Sequence, residues 1–242
     1  MKAYLNSISG IDDAIISMYF SKRHMDYQIE SDIRDLCSRC LTRKGFMDTK
    51  ETNEEDKEKF DEYMTKLCKF GTRHITLLRF VDMSFTIYGL HRAGQDDWDA
   101  HACRYNNRII RESSRLADFK DGEKSDYYKD KILTTEEAMR ELSIQTPEFI
   151  IKDGVKYIKA VNGYIREDLV DKNDVKRGLY MLSIPSSFIF RVNLTEWAHV
   201  YKERNASGGA NPEVKELAES IADLIENAIP YFNRDLFMKI KN

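Results

Sequence analysis

Long apolar runs are missing from this sequence: no window approaches the roughly 20 consecutive apolar residues that a helix needs to cross a bilayer. The first twenty residues include Asp12 and Asp13 and hold no apolar stretch of the kind found in a secretory leader. These absences lead us to expect a soluble, cytoplasmic protein with no membrane partner. Excess positive charge is missing as well. The formal charge is -3, whereas gripping long nucleic acid takes many cations along a track. Any phosphate-bearing ligand should therefore be small. A complete metal-binding pattern is also lacking. Cys37 and Cys40 have CxxC spacing, but no second CxxC or paired His supplies the remaining ligands. No metal is expected. In SDIRDLCSRCL the residues Ile33, Leu36, Cys37, Cys40 and Leu41 recur at helical spacing, which places both thiols on the buried stripe of a helix capped by Ser31. Internal repeats are absent, and the NAS sequon at Asn205 has no other sign of secretion beside it.

What is present suits a folded core. At 242 residues and 42% apolar composition, the chain can bury one sizeable core, and the default is a single domain spanning residues 1–242. The N-terminal quarter reads as helices: Ile11, Ala14, Ile15 and Met18 share a face, and after the cysteine helix Phe60, Met64 and Leu67 point inward from EEDKEKFDEYMTKLCKF. The period then changes at FVDMSFTIY. There Met83, Phe85 and Ile87 alternate with polar residues as in a half-buried strand that runs into the next arginine-rich segment. Thr134 or Thr135 caps a short helix, and EFIIKDGVKYIKAV forms a hairpin about Asp153 and Gly154. A helix near Asp174 carries Arg177 and stops before Pro185. The strand SSFIFRVN, with Phe188 and Phe190 on one face, passes at Asn193 into a helix. A last helix is capped by Asn211 with Pro212 at its first position, and its stripe of Val214, Leu217, Ile221, Leu224 and Ile225 ends before Pro230. The expected class is α+β, or mixed α/β, with a central and mostly antiparallel sheet flanked by helices.

The segment RYNNRIIRESSR carries Arg104, Arg108, Arg111 and Arg115. If it is helical, steps of 100° put the last three within about 40° of the first and make one cationic face. Two readings stand: a solvated face with its charges paired to nearby acids, or a site for phosphate or carboxylate oxygens bonded by guanidinium forks. Arg177, Asn193, His199 and Arg204 lie in other parts of the chain, and together with this segment they point to a polyanionic ligand the size of a nucleotide. An RNA-binding helix is a further reading, disfavoured by the net acidity and the lack of an aromatic-rich basic strip.

Three patches between residues 74 and 230 resemble the flavin-dependent thymidylate synthase family. HITLLRFVDMSFTIYGLHRA is similar to HxTPFEHxxFTFxIxGISRA, with Arg79 in place of a glutamate. The arginine segment resembles RHRxxSxNExSxRY, with Tyr105 and Asn106 where the family has His and Arg, Arg111 in place of Asn, and Arg115 one place early beside Leu116; a short insertion around GQDDWDA precedes it. RGLYMLSIPSSFIFRVNLTEWAHVYKERNASGGANPEV is similar to the third motif, with Thr195 in place of an arginine and Asn211, Pro212 and Glu213 in place of QWE.

The resemblance implies a homotetramer that methylates dUMP to dTMP, with FAD as cofactor and methylenetetrahydrofolate and NADPH as cosubstrates. It places FAD contacts at His74, Thr76, Arg104, Asn193 and His199. Substrate contacts fall at His101, Arg104, Glu112, Ser114, Arg115, Arg177 and Arg204, with Arg204 and Ser114 at the catalytic positions. A serine with no paired base is a poor nucleophile, so Ser114 is read as a substrate ligand. The altered signature keeps two alternatives open: a pyrimidine nucleotide hydroxymethylase on the same fold, and a noncatalytic nucleotide-binding homologue.

Overall fold

The computed structural model describes residues 1–21, 25–48, 52–102, 108–113, 123–206 and 211–240, and at 100–102, 173, 174, 177 and 206 the backbone alone. The chain opens on strand β1 (Lys2–Ser9), where helix was expected. Lys2 and Tyr4 face outward and Ala3 and Leu5 inward, but the Asn and Ser that follow are weak strand formers and mask the period in the sequence. Helix α1 (Ile11–Phe20) buries Ile11, Ala14, Ile15 and Met18 as expected. It starts after Gly10, whose φ is 79°, and a Cβ there would meet the Phe80 carbonyl oxygen at 2.0 Å, so the turn admits only glycine.

Helix α2 (Tyr27–Cys40) carries Cys37 and Cys40 in the core, and burial pushes their thiols up to about 12 and about 11. Its cap is Asp26, whose carboxylate accepts from Ile29 N at 2.9 Å, and not Ser31, which lies inside the helix. The apolar stripe marks the buried face of a helix but not its first turn. Helix α3 (Glu54–Gly71) is capped by Asn53 and buries Phe60, Met64 and Leu67. A 3-10 helix (Ile75–Phe80) leads into β2 (Asp82–His91), where Met83, Phe85 and Ile87 are fully buried. The strand does not run straight into the arginine segment, because α4 (Arg92–Ala102) intervenes. Loop carbonyls satisfy the first N–H groups of α4: Ile184 O accepts from Arg92 N at 3.0 Å and Leu182 O from Ala93 N at 3.1 Å.

Arg108–Arg111 forms strand β3. Helix α5 (Thr135–Glu141) begins with a reciprocal capping box between Thr134 and Glu137. The expected hairpin is β4 (Phe149–Lys152) and β5 (Val155–Ala160), turning at Asp153 and Gly154, both at positive φ. A further strand, β6 (Gly163–Arg166), pairs antiparallel with β5. The helix expected near Asp174 is a single turn, α6 (Asn173–Lys176), followed by a 3-10 turn at Arg177–Leu179. Strand β7 (Pro185–Asn193) buries Phe188 and Phe190 and passes directly into α7 (Leu194–Ala206). Helix α8 (Pro212–Ala228), capped by Asn211, buries Val214, Leu217, Ile221 and Ile225, and α9 (Arg234–Lys239) ends the described chain.

The architecture is mixed α/β, with strands in two sheets flanked by helices. The first sheet has the order β1-β2-β7-β3; the second, β4-β5-β6, is antiparallel throughout. The chain forms two compact units. The larger comprises Ala3–Ile87, Asp97–Ile109 and Ile189–Asn242. Its core is an aromatic seam: Phe85 stacks on Phe190 at 4.9 Å, Trp98 meets Phe190 edge-on at 5.5 Å, and Trp197 meets Phe237 edge-on at 6.2 Å. The smaller unit comprises Met1–Lys2, Tyr88–Asp96 and Ile110–Phe188, and in it the buried His91 ring packs edge-on against Tyr128 at 4.8 Å. Among the described residues no helix is long and apolar enough to cross a membrane.

In the smaller unit, the ammonium of Lys124 donates to both Glu137 carboxylate oxygens, at 3.0 and 2.7 Å, and to Ile132 O at 2.9 Å. That pairing, with the Thr134 backbone bond, lowers the Glu137 carboxyl from 4.5 to about 2. A carboxyl depressed on folding contributes stability that is complete above its unfolded value and is lost as pH falls through its folded value. Thermal melts of the wild type should therefore show a stability loss between pH 4.5 and about 2 that Glu137→Gln removes. Thr134→Ala should cost about 1 kcal/mol in chemical denaturation at neutral pH.

Candidate active site

The sequence-derived site residues fall into three groups. Arg104, Ser114 and Arg115 lie outside the described residues, as do the side chains of His101, on α4, and Arg177, at the 3-10 turn after α6. Glu112 belongs to the smaller unit; His74, Thr76, Asn193, His199 and Arg204 belong to the larger.

In the larger unit the residues gather around α7. The 3-10 helix that begins after His74 packs against α7, and the two are joined where Leu194 N donates to Val81 O at 2.9 Å. His74 and Thr76 are exposed, with the exposed guanidinium-bearing Arg73 and Arg79 in the same short stretch. Asn193 is buried at the junction of β7 and α7, where its side chain caps the helix. Its Oδ1 accepts from Thr195 N at 3.1 Å, Glu196 N at 3.0 Å and Thr195 Oγ1 at 2.6 Å. The amide nitrogen of Asn193 is the part left to donate. Thr195 stands where the family resemblance has an arginine, and its hydroxyl completes this cap. His199 is half-buried one turn further along α7.

Arg204 lies in the last turn of α7. Only 2% of it is exposed. Its Nη1 donates to Asp97 Oδ1 at 2.9 Å and its Nη2 to the Asp97 carbonyl. Arg204 Nε and Asp97 Oδ2 are both buried and without hydrogen-bond partners among the described residues. Nε of Arg204 and Oδ2 of Asp97 are thus the two atoms of the pair that its own hydrogen bonds leave out. Sequence reasoning singled out Arg204 and missed Asp97, because GQDDWDA looked like an insertion. The signal was the adjacent acids Asp96 and Asp97 upstream of an arginine-rich run.

The arginine segment resolves in part. Arg108 and Arg111 sit on a strand and not on a helical face, so their side chains follow the strand's alternation. Arg108 donates to Asp82 at 2.8 Å, and Arg111 to Asp96 at 2.7 Å and to Gln95 O at 3.3 Å. For these two arginines the pairing with nearby acids holds. In the smaller unit Glu112 is tied to β7: its N donates to Ser187 O at 2.8 Å, and one carboxylate oxygen accepts from Ser187 N at 3.0 Å. The other carboxylate oxygen is the one left for a ligand.

His74 and Thr76 are thus exposed beside Arg73 and Arg79, whereas Asn193 and Arg204 are buried in the helix packing. A family model described as thymidylate synthase complementing protein matches residues 21–231. The chain belongs to this family, the flavin-dependent thymidylate synthases. Two solved structures are similar over nearly the whole length. Thymidylate synthase X (ThyX) from Helicobacter pylori with FAD and dUMP has a TM-score of 0.56 at 16% identity, covering 98% of this chain and 99% of that one. A second structure of the Helicobacter pylori flavin-dependent thymidylate synthase ThyX, complexed with FAD and dUMP, gives 0.54 at 16% identity with the same coverage. At that identity the likeness speaks for the fold. A search of curated proteins gives no significant match.

Removing one partner of a buried ion pair strands the other charge. Asp97→Ala should destabilise the protein by about 3 kcal/mol in urea denaturation, and Asp97→Asn, which keeps an acceptor for Nη1, should cost less.

Proposed function

We propose that the protein is a flavin-dependent thymidylate synthase that converts dUMP to dTMP, with FAD as cofactor, methylenetetrahydrofolate as carbon donor and NADPH as reductant, acting as a homotetramer. One observation carries this reading: the family match over residues 21–231 spans every candidate site residue, from His74 to Arg204.

The residues present suit FAD. His74, Thr76 and the amide nitrogen of Asn193 are donors for its flavin ring and ribityl chain, and Arg73 and Arg79, in the same stretch as His74 and Thr76, are cations for its pyrophosphate. His199 and Arg104 complete the cofactor set. When bound, FAD supplies the reducing equivalents and the relay of the one-carbon unit, so the protein's own share is placement and electrostatics. Arg204 addresses the uracil carbonyls and stabilises negative charge that develops on them. Arg104, Arg115 and Arg177 balance the roughly two negative charges of the nucleotide phosphate through charge-assisted bonds. His101, Glu112 and Ser114 bond the sugar and phosphate, Glu112 through the carboxylate oxygen not used by Ser187.

The test is an absorbance scan of the purified protein with FAD, a dUMP titration, and product analysis with methylenetetrahydrofolate and NADPH. Flavin absorbance perturbed by dUMP and formation of dTMP are expected. A protein that takes up no FAD overturns the proposal in favour of a noncatalytic homologue, and a hydroxymethylated product replaces it with the hydroxymethylase reading. Arg204→Lys keeps a cation for Asp97 but loses the planar fork. It should lower kcat/KM for dUMP by about 100-fold while leaving the thermal midpoint within a few degrees of wild type.

A further inference from the structure

Strand β4 is the outer strand of the β4-β5-β6 sheet, and among the described residues nothing pairs with its free edge. From Glu141 to Val155 every residue except Thr146 is exposed. Within that stretch Phe149 is 49% exposed, Ile150 37% and Ile151 68%. Side chains alternate along a strand, so Phe149 and Ile151 share one face and Ile150 takes the other; both faces carry apolar side chains into solvent. Edge strands normally escape self-association through proline, a bulge or inward-pointing charge. Phe149–Lys152 has no proline, pairs with β5 in unbroken register, and has its one charge at the end.

The hydrogen-bond pattern tells which backbone groups the free edge presents. Lys159 N donates to Glu148 O at 2.9 Å, and the register pairs Ile150 with Tyr157 and Lys152 with Val155. In an antiparallel ladder, hydrogen-bonded and non-hydrogen-bonded positions alternate. Glu148, Ile150 and Lys152 therefore turn their polar groups toward β5. The N–H and C=O of Phe149 and Ile151 face the open edge.

We propose that β4 pairs antiparallel with β4 of a second copy of this chain, about a two-fold axis through Ile150, making a continuous six-stranded sheet. In this register Phe149 lies opposite Ile151 of the second copy, and the two exchange both backbone hydrogen bonds; symmetry repeats the exchange, so all four outward-facing groups are used twice over the axis. Ile150 meets its own counterpart at a close non-hydrogen-bonded position. Glu148 lies opposite Lys152 of the second copy, and Lys152 opposite its Glu148, so each end of the junction carries opposite charges on facing residues. The strand EFIIK is thus its own complement in backbone pairing, apolar contact and charge together. That reciprocity identifies the occupant as a second copy, and an isologous interface requires it. A permanently apolar edge also needs a partner made in step with the chain, which a second copy is. The inference is independent of the flavin chemistry.

The test is sedimentation of the full-length chain, with circular dichroism to confirm folding. The wild type should sediment as a dimer or a higher assembly containing this two-fold. Ile150→Lys sets two ammonium groups against each other across the axis and should halve the wild-type mass. Glu148→Lys alone should weaken association by about 10-fold through two reversed cross-strand pairs, and Glu148→Lys with Lys152→Glu should restore it, a rescue that a general loss of solubility would not give. Ile150→Cys should oxidise to a disulfide-linked dimer, because facing Cα atoms at such a position are about 4.5 Å apart; Val155→Cys should not. A monomeric wild type overturns the proposal, and so does an unchanged mass for Ile150→Lys, a double charge swap that fails to restore association, or no cross-link at Ile150→Cys. Each of these can occur in a protein that binds FAD and makes dTMP, so failure here leaves that chemistry untouched, and a monomeric wild type removes the homotetramer as well.

Discussion

A guanidinium group removed from water must be paired, and that requirement governs the junction of α4 and α7. Arg204 is almost wholly buried, and Asp97 supplies both a carboxylate oxygen and a backbone carbonyl to it. Without that pairing, desolvation of the cation costs several kcal/mol. The junction is held in place by the aromatic seam beside it. Trp98 follows Asp97 on α4, while Trp197, Tyr201 and Arg204 stand at i, i+4 and i+7 on α7 and so share one face. Packing of the tryptophans sets how the helices meet, and the ion pair requires them to meet where the charges reach.

The start of α7 performs a second positioning task. Asn193 caps the helix with its carboxamide oxygen and the neighbouring Leu194 N donates to Val81 O, so the strand end, the helix start and the end of the short helix after His74 are tied together. A polar side chain that reads as a ligand contact in the sequence is here also a helix cap. The two roles use different atoms of one carboxamide, and the structural role fixes the orientation in which the other is available. Thr195 takes the place of an arginine found in the resembling motif and joins the cap through its hydroxyl. Charge lost at this point is replaced by a local hydrogen bond.

Arginine-rich stretches invite a ligand reading, and this one divides. Arg108 and Arg111 are spent on Asp82 and Asp96, acids from elements distant in sequence. Arg204 is bound by Asp97 and is itself buried. The distinction lies in burial, which depends on side chains brought from separate elements, and no spacing rule contains it.

Periodicity determined the helices α1, α3, α7 and α8, the cysteine stripe of α2 and the strands β2 and β7, because burial of one face imposes a period on local sequence, whereas the turn pair Asp153 and Gly154 marked the hairpin. The three resembling patches likewise carried the family. Shorter or weaker signals did not survive: β1 is diluted by Asn6 and Ser7, β6 and α9 are only a few residues long, the cap of α2 is Asp26 and not Ser31, and the strand at Arg108–Arg111 had been open to a helical reading. Tertiary structure alone decided that α4 separates β2 from the arginine segment, that Asp97 holds Arg204, and that Asn193 spends its oxygen on α7. Those outcomes depend on which side chain meets which across gaps of many residues, where local pattern has no reach and only the packed chain brings the partners together.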